Sequence, residues 1–144
     1  MREIKTIIVH CADTYPDMDI GVDEIHEWHT SPPRNWSDIG YHWVIRRSGV
    51  LEHGRPEHIA GAHAAGHNKD SIGVCMVGGK SRKDDGPEDN FTPEQRVMLR
   101  ELIGMLRKRY GDSVEVIPHS AVNEHKTCPN CNIYEILCVD HAKP

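Results

Sequence analysis

Short apolar runs alternate with polar, turn-rich stretches along this chain, and the period of each run names its element. The run IKTIIVH (residues 4–10) is β-branched and apolar on both sides of the pleat, which predicts a buried strand ending at His10. In GVDEIHEWH (residues 21–29), Val22, Ile25, Trp28 and His29 recur at spacings of three and four, predicting a short helix that the prolines of SPPRNWSD (residues 31–38) end. GYHWVIRRSGVLEHG (residues 40–54) has two strand-like halves around Ser48-Gly49 and predicts a hairpin, with Tyr41 beginning its first strand. PEHIAGAHAAGHNKD (residues 56–70) is small and aperiodic, hence a loop, and SIGVCMVGG (residues 71–79) is a second buried strand. The charge-dense KSRKDDGPEDN (residues 80–90) is expected to be a disordered connection.

The plainest element follows. Thr92 can cap, Pro93 suits the first helical position, and Gln95 stands where a capping box needs it. Leu99, Leu102, Ile103, Leu106 and Tyr110 then follow at helical spacing up to Gly111. VEVIPH (residues 114–119) predicts a last strand delivering His119, and NIYEILCVD (residues 132–140) a final short helix. Strands alternating with helices, and a hairpin that forces antiparallel pairing, give an α/β fold: one domain over residues 1–144, with a central mixed sheet flanked by helices.

Composition narrows the function classes. A length of 144 residues, 38% hydrophobic and 27% charged, suits one soluble globule with its own core. A net charge of −5 supplies no basic field for direct nucleic-acid binding. No apolar run approaches the roughly 20 residues of a membrane span, and the N-terminal stretch lacks the pattern of a signal peptide. The expected location is therefore the cytosol of the producing cell. Five cysteines without a leader point to free thiols or metal ligands rather than disulfides.

Eleven histidines are many for this length. His26, His29, His42, His53, His58 and His141 are expected to be solvated. Trp28, Trp36 and Trp43 could stack on sugars, but Trp28 and Trp43 are better read as core residues, and Trp36 divides evenly between the two readings. Gly78-Gly79 lacks the Lys-Ser/Thr that would make a phosphate loop.

Cys128 and Cys131, in PHSAVNEHKTCPNC (residues 118–131), admit three readings. A structural zinc knuckle needs a second close pair, which Cys11, Cys75 and Cys138 do not form. A redox dithiol fits the helix that follows but not a position so late in the chain. A catalytic metal would take His10 and His119 from strand ends and Cys128 from the loop beyond. Two imidazoles, one thiolate and an open fourth position are a catalytic zinc layout.

The blocks IIVHCADT, GVDEIHEWH, DIGYHWVIRRSG, GAHAAGHNKDSIGVCMVGG, NFTPEQ and the His119–Cys128 segment, in this order, resemble the zinc-dependent N-acetylmuramoyl-L-alanine amidases of the type 2 amidase and peptidoglycan-recognition-protein group. The resemblance implies a phage-type endolysin that uses one Zn2+ per chain to hydrolyse the amide between N-acetylmuramic acid and L-alanine in peptidoglycan. It makes His10, His119 and Cys128 the zinc ligands, Tyr41 and Lys126 the catalytic pair, and His63 a residue of the substrate groove. Without it, Tyr41 would read as a half-buried sheet tyrosine and Lys126 as a solvated loop lysine. Cys131 matches nothing in the pattern.

Two alternatives accompany the resemblance. Wall-binding relatives without hydrolysis lack the metal cysteine, which is present here as Cys128. A regulator that binds a phage RNA polymerase is compatible with the enzyme role. The enzyme is expected to be a monomer with no membrane partner, and to reach the wall once the membrane has been permeabilised.

Overall fold

A computed structural model describes residues 2–138. His141 and the end of the predicted last helix lie outside the described residues. Five strands form one sheet: β1 (Thr6–Cys11), β2 (Trp43–Ile45), β3 (Leu51–His53), β4 (Ser71–Met76) and β5 (Glu115–Pro118). They lie in the order β3-β2-β4-β1-β5. The β1–β4, β1–β5 and β2–β4 pairs are parallel, and only the β2–β3 hairpin is antiparallel. The mixed sheet thus comes from a parallel centre with a hairpin at one edge.

Helices cover both faces. Alternation along β1 and β4 turns Ile7, Val9, Ile72, Val74 and Met76 toward α2 (Pro93–Tyr110) and α3 (Ile133–Cys138), where Leu99, Leu102, Ile103, Leu106, Ile133 and Ile136 complete the larger core. Each fully buried Ile or Leu there contributes roughly 1.5–3 kcal/mol. The other face packs Val44, Cys75 and Val77 against Ile25 of α1 (Val22–Thr30) and Ile39. His10 belongs to this second face, opposite in pleat to Val9, and pairs in register with Cys75. The capping box of α2 forms as the sequence predicts: Gln95 N–H donates to Thr92 Oγ1 at 3.1 Å, and Thr92 N–H donates to Gln95 Oε1 at 3.0 Å.

Several expectations are corrected. The stretch 80–90 is ordered, because its backbone finds partners inside the fold. Ser81 N–H donates to the Gly86 carbonyl at 2.8 Å, Glu88 N–H to the Gly79 carbonyl at 2.9 Å, and Gly79 N–H to Asn90 Oδ1 at 2.9 Å, while charged side chains of the stretch find partners too, Arg82 on Asp17 at 2.7 Å among them. Tyr41 does not begin a strand; it precedes β2 by two residues. Trp28 is 41% exposed on the outer side of α1 instead of in the core. Trp43 does pack on the larger core as expected, half-buried, with its indole N–H on Glu57 at 2.6 Å.

His42, expected to be solvated, is fully buried. Gly73 N–H donates to its Nδ1 at 2.9 Å, and its Nε2 bonds the Ile59 carbonyl at 2.8 Å, so the ring stitches β4 to the 56–70 loop as a neutral group. Burial is the main reason its pKa falls to about 4. The unfolded chain titrates near 6.5. The folded value is the lower one, so the neutral ring's contribution is complete above about pH 6.5 and is lost as pH falls from there toward 4. The slope is about 1.4 kcal/mol per pH unit, so His42 alone should lower stability by roughly 2 kcal/mol between pH 7 and pH 5. Urea unfolding at the two pH values, on the wild type and on His42→Asn, measures this: the pH dependence should shrink by that amount in the variant, and an unchanged dependence would show that the ring is not held neutral.

Candidate metal centre and cleft

The C-terminal ends of β1 and β5 and the loop after β5 meet at one cleft. β1 delivers His10. β5 ends at Pro118, and His119 opens a single 3-10 turn, His119–Ala121. The chain then loops out and returns: Ser120 N–H donates to the Cys128 carbonyl at 3.0 Å, closing the loop that carries Lys126. Cys11 N–H donates to Cys128 Sγ at 3.0 Å, which ties the returning sulfur to the end of β1.

One ligand atom from each of His10, His119 and Cys128 lies within 4.8 Å of the other two. A tetrahedral zinc with bonds of 2.0–2.3 Å spaces its ligands roughly 3.5 Å apart, so closing this triangle on an ion needs only small side-chain movements. The donor chemistry fits as well. Burial, then the neighbouring His63, His119 and Lys126, keeps His10 well below the ordinary histidine pKa. Burial and Lys126 lower His119 too. Both rings are therefore neutral donors near pH 7. Contact with Cys11 and burial raise the Cys128 thiol, a penalty that a coordinating divalent cation removes by taking the thiolate directly. A soft sulfur and two imidazoles select zinc over calcium or magnesium.

The cleft holds about 760 Å³ and is lined by all six residues that the resemblance implicated: His10, Tyr41, His63, His119, Lys126 and Cys128. Tyr41 is half-buried, its ring centroid 5.1 Å from that of His10. Burial, with the thiols of Cys75, Cys128 and Cys11 around it, holds its pKa well above the usual tyrosine value, so it remains an O–H donor. Lys126 is exposed at the rim. His63 is 9% exposed, and both its ring nitrogens point inward, Nδ1 to His10 Nε2 at 2.8 Å and Nε2 to Ser71 Oγ at 3.1 Å. Only its ring carbons remain for the cleft.

Some cleft residues escaped the sequence reading. Asp85, from the stretch expected to be disordered, lines the cleft and accepts a hydrogen bond from Tyr15 at 2.6 Å. His29 accepts Gly40 N–H at Nδ1 (2.9 Å), stacks edge-on against Trp36 at 4.8 Å and stands 5.5 Å from Tyr41, walling the far side. Asn68 Oδ1 accepts the N–H groups of both His63 and Ala64 at 2.9 Å. Ser71 gave one usable sign, a hydroxyl opening a run that is otherwise buried and apolar.

Comparison with known proteins agrees with the mixed-sheet fold. The family model described as N-acetylmuramoyl-L-alanine amidase matches residues 1–131, and the chain belongs to that family. It is 42% identical to the endolysin of Klebsiella phage KP32, over 98% of this chain and 94% of that one. It is 43% identical to the endolysin of Escherichia phage T7, over 88% of this chain and 81% of that one. Among solved structures, the N-acetylmuramoyl-L-alanine amidase LysC from Clostridium intestinale URNW superposes with a TM-score of 0.79 at 28% identity, covering 99% of this chain and 88% of its own.

Proposed function

We propose that this protein is a phage-type endolysin whose amidase activity depends on zinc held by His10, His119 and Cys128. Its substrate is peptidoglycan, and the bond it cuts is the amide between N-acetylmuramic acid and L-alanine. The observation that carries the zinc reading is the triangle of two neutral imidazoles and one thiol, closed to within 4.8 Å at the wall of a large cleft.

Zinc bound there supplies Lewis acidity, polarising a carbonyl and making water nucleophilic near neutral pH. The chain's own groups do the rest. Amide hydrolysis builds negative charge on the scissile carbonyl oxygen and must end with a protonated amine. Tyr41, kept in its phenol form by burial, lines the cleft with its ring beside His10 and can carry a proton at its Oη. Lys126 brings a positive charge on a flexible stem to the same side as His119, where it stabilises the developing oxyanion. The rigid sheet end fixes His10, while the loop carrying Lys126 and Cys128 is tied down at Ser120 and Cys11. Orientation is thus set before substrate arrives.

A wall-binding module without chemistry would not need Cys128 placed against the two histidines. Metal analysis of the purified protein should find about one zinc per chain. Chelation should abolish clearing of a peptidoglycan suspension, and added zinc should restore it. Metal-free protein that clears walls at the full rate would remove zinc from the mechanism.

A further inference from the structure

We propose that Ser71 and His63 form a hydrogen-bond relay that fixes the tautomer of His10 and thereby presents its Nδ1 lone pair to the metal. Both are positioning residues. The inference rests on the zinc reading above, but the relay itself follows from proton accounting along one chain of buried groups.

The chain starts at a group that can only accept. The carbonyl of His67 receives the Ser71 hydroxyl at 2.7 Å, so the single proton of Ser71 is committed. Ser71 Oγ can then only accept from His63 Nε2, at 3.1 Å, which places the His63 proton on Nε2. A neutral imidazole carries one proton, so His63 Nδ1 is bare and must accept. Its partner, at 2.8 Å, is His10 Nε2, which therefore holds the proton of His10. The lone pair left on His10 is at Nδ1. Ser71 and His10 are 0% and 1% exposed, so water cannot substitute for a missing member.

The backbone is shaped to hold this relay. Gly73 stands two residues along β4 from Ser71, and a Cβ there would lie 2.5 Å from His63 Cγ. The His63 ring therefore rests directly on the bare strand. Ile8 pairs with Gly73 and His10 with Cys75, which sets His10 one pleat repeat further along the same face. Asn68 pins the loop at the His63 and Ala64 amides, and His67 N–H donates to the Ala64 carbonyl at 2.9 Å, which turns the His67 carbonyl toward Ser71. Groups that orient a ligating histidine typically change metal affinity 10–100-fold when removed.

The test is competition for zinc between the protein and a chromophoric chelator, with no substrate present. His63→Leu should weaken zinc binding roughly 10–100-fold, and Ser71→Ala by a smaller factor in the same direction. His63→Asn places an amide oxygen near the former Nδ1 and should recover most of the affinity. Nitrogen-15 histidine spectra of the zinc-stripped wild type should show His10 protonated at Nε2. Wild-type zinc affinity in both His63→Leu and Ser71→Ala, or a His10 proton found on Nδ1, would overturn the relay. If His63→Leu does not fold, Ser71→Ala and the spectra decide. A residue that only contacted substrate would raise KM and leave zinc affinity unchanged, which also counts against the relay. Wild-type protein that binds no zinc would defeat the metal reading instead, and the spectra would still test the relay.

Discussion

Cys128→Ser should lose zinc and wall-lysing activity together, whereas Cys131→Ser should keep both. The two cysteines are three residues apart and chemically alike, so position alone separates them. Cys128 Sγ completes the donor triangle with His10 and His119 and is aimed by the Cys11 amide. A serine hydroxyl in its place does not ionise readily and is a harder, poorer zinc donor than a thiolate. With only two imidazoles left, zinc retention at submicromolar concentrations should fail, and activity with it. Cys131 is half-buried against the larger hydrophobic core, and burial pushes its thiol up to about 12, the state of an inert packing residue. Its replacement by serine should cost on the order of 1 kcal/mol, for a hydroxyl placed in a mostly apolar site. Zinc per chain and the rate of turbidity loss, measured on both variants, check this. Zinc loss in Cys131→Ser would make the pair joint ligands and redraw the site.

Much of the architecture was legible because local signals agreed with the global fold. The capping box at Thr92 and Gln95, the helical spacing from Leu99 to Leu106 and the two-sided apolar runs of β1 and β4 each had a single physical reading. The failures arose where residue type and periodicity do not reveal a side chain's or a backbone group's partners. Nothing near residues 80–90 reveals that Asn90 will meet Gly79 or that Asp85 will reach Tyr15, so a charge-rich run looked unstructured. His42 looked like a surface histidine because its partners, Gly73 and Ile59, come from other segments. Trp28 fitted the helical period of α1 but sits at the edge of a narrow apolar stripe in which Ile25 alone is buried.

The candidate site divides in the same way. His10, His119 and Cys128 had distinctive residue types at element ends, and the donor triangle could be anticipated from those positions. Tyr41, Lys126 and His63 have no such local mark; only the resemblance singled them out. For His63 the resemblance named the groove but could not reveal which way the ring nitrogens face, which depends on Ser71 and on the missing side chain at Gly73.

Lys126→Ala and Tyr41→Phe should each keep zinc and fold while losing most turnover. Lys126 is exposed and hangs from a loop closed by backbone hydrogen bonds, so removing its side chain leaves no cavity and no orphaned buried partner. It lines the same cleft as His10 and His119, which puts its charge on the side of the metal triangle. Tyr41→Phe removes one oxygen and preserves the ring that packs near His10 and His29. Loss of one preorganised donor to a developing oxyanion typically costs 10²–10³ in kcat, about 3–4 kcal/mol of barrier. KM should move little, because the affected interaction strengthens only as charge develops. The decisive comparison is single-turnover hydrolysis of a soluble muropeptide alongside zinc content and thermal unfolding for each variant. Wild-type turnover in either variant would strip that residue of its role, and turnover lost together with zinc would mean that it supports the metal site instead.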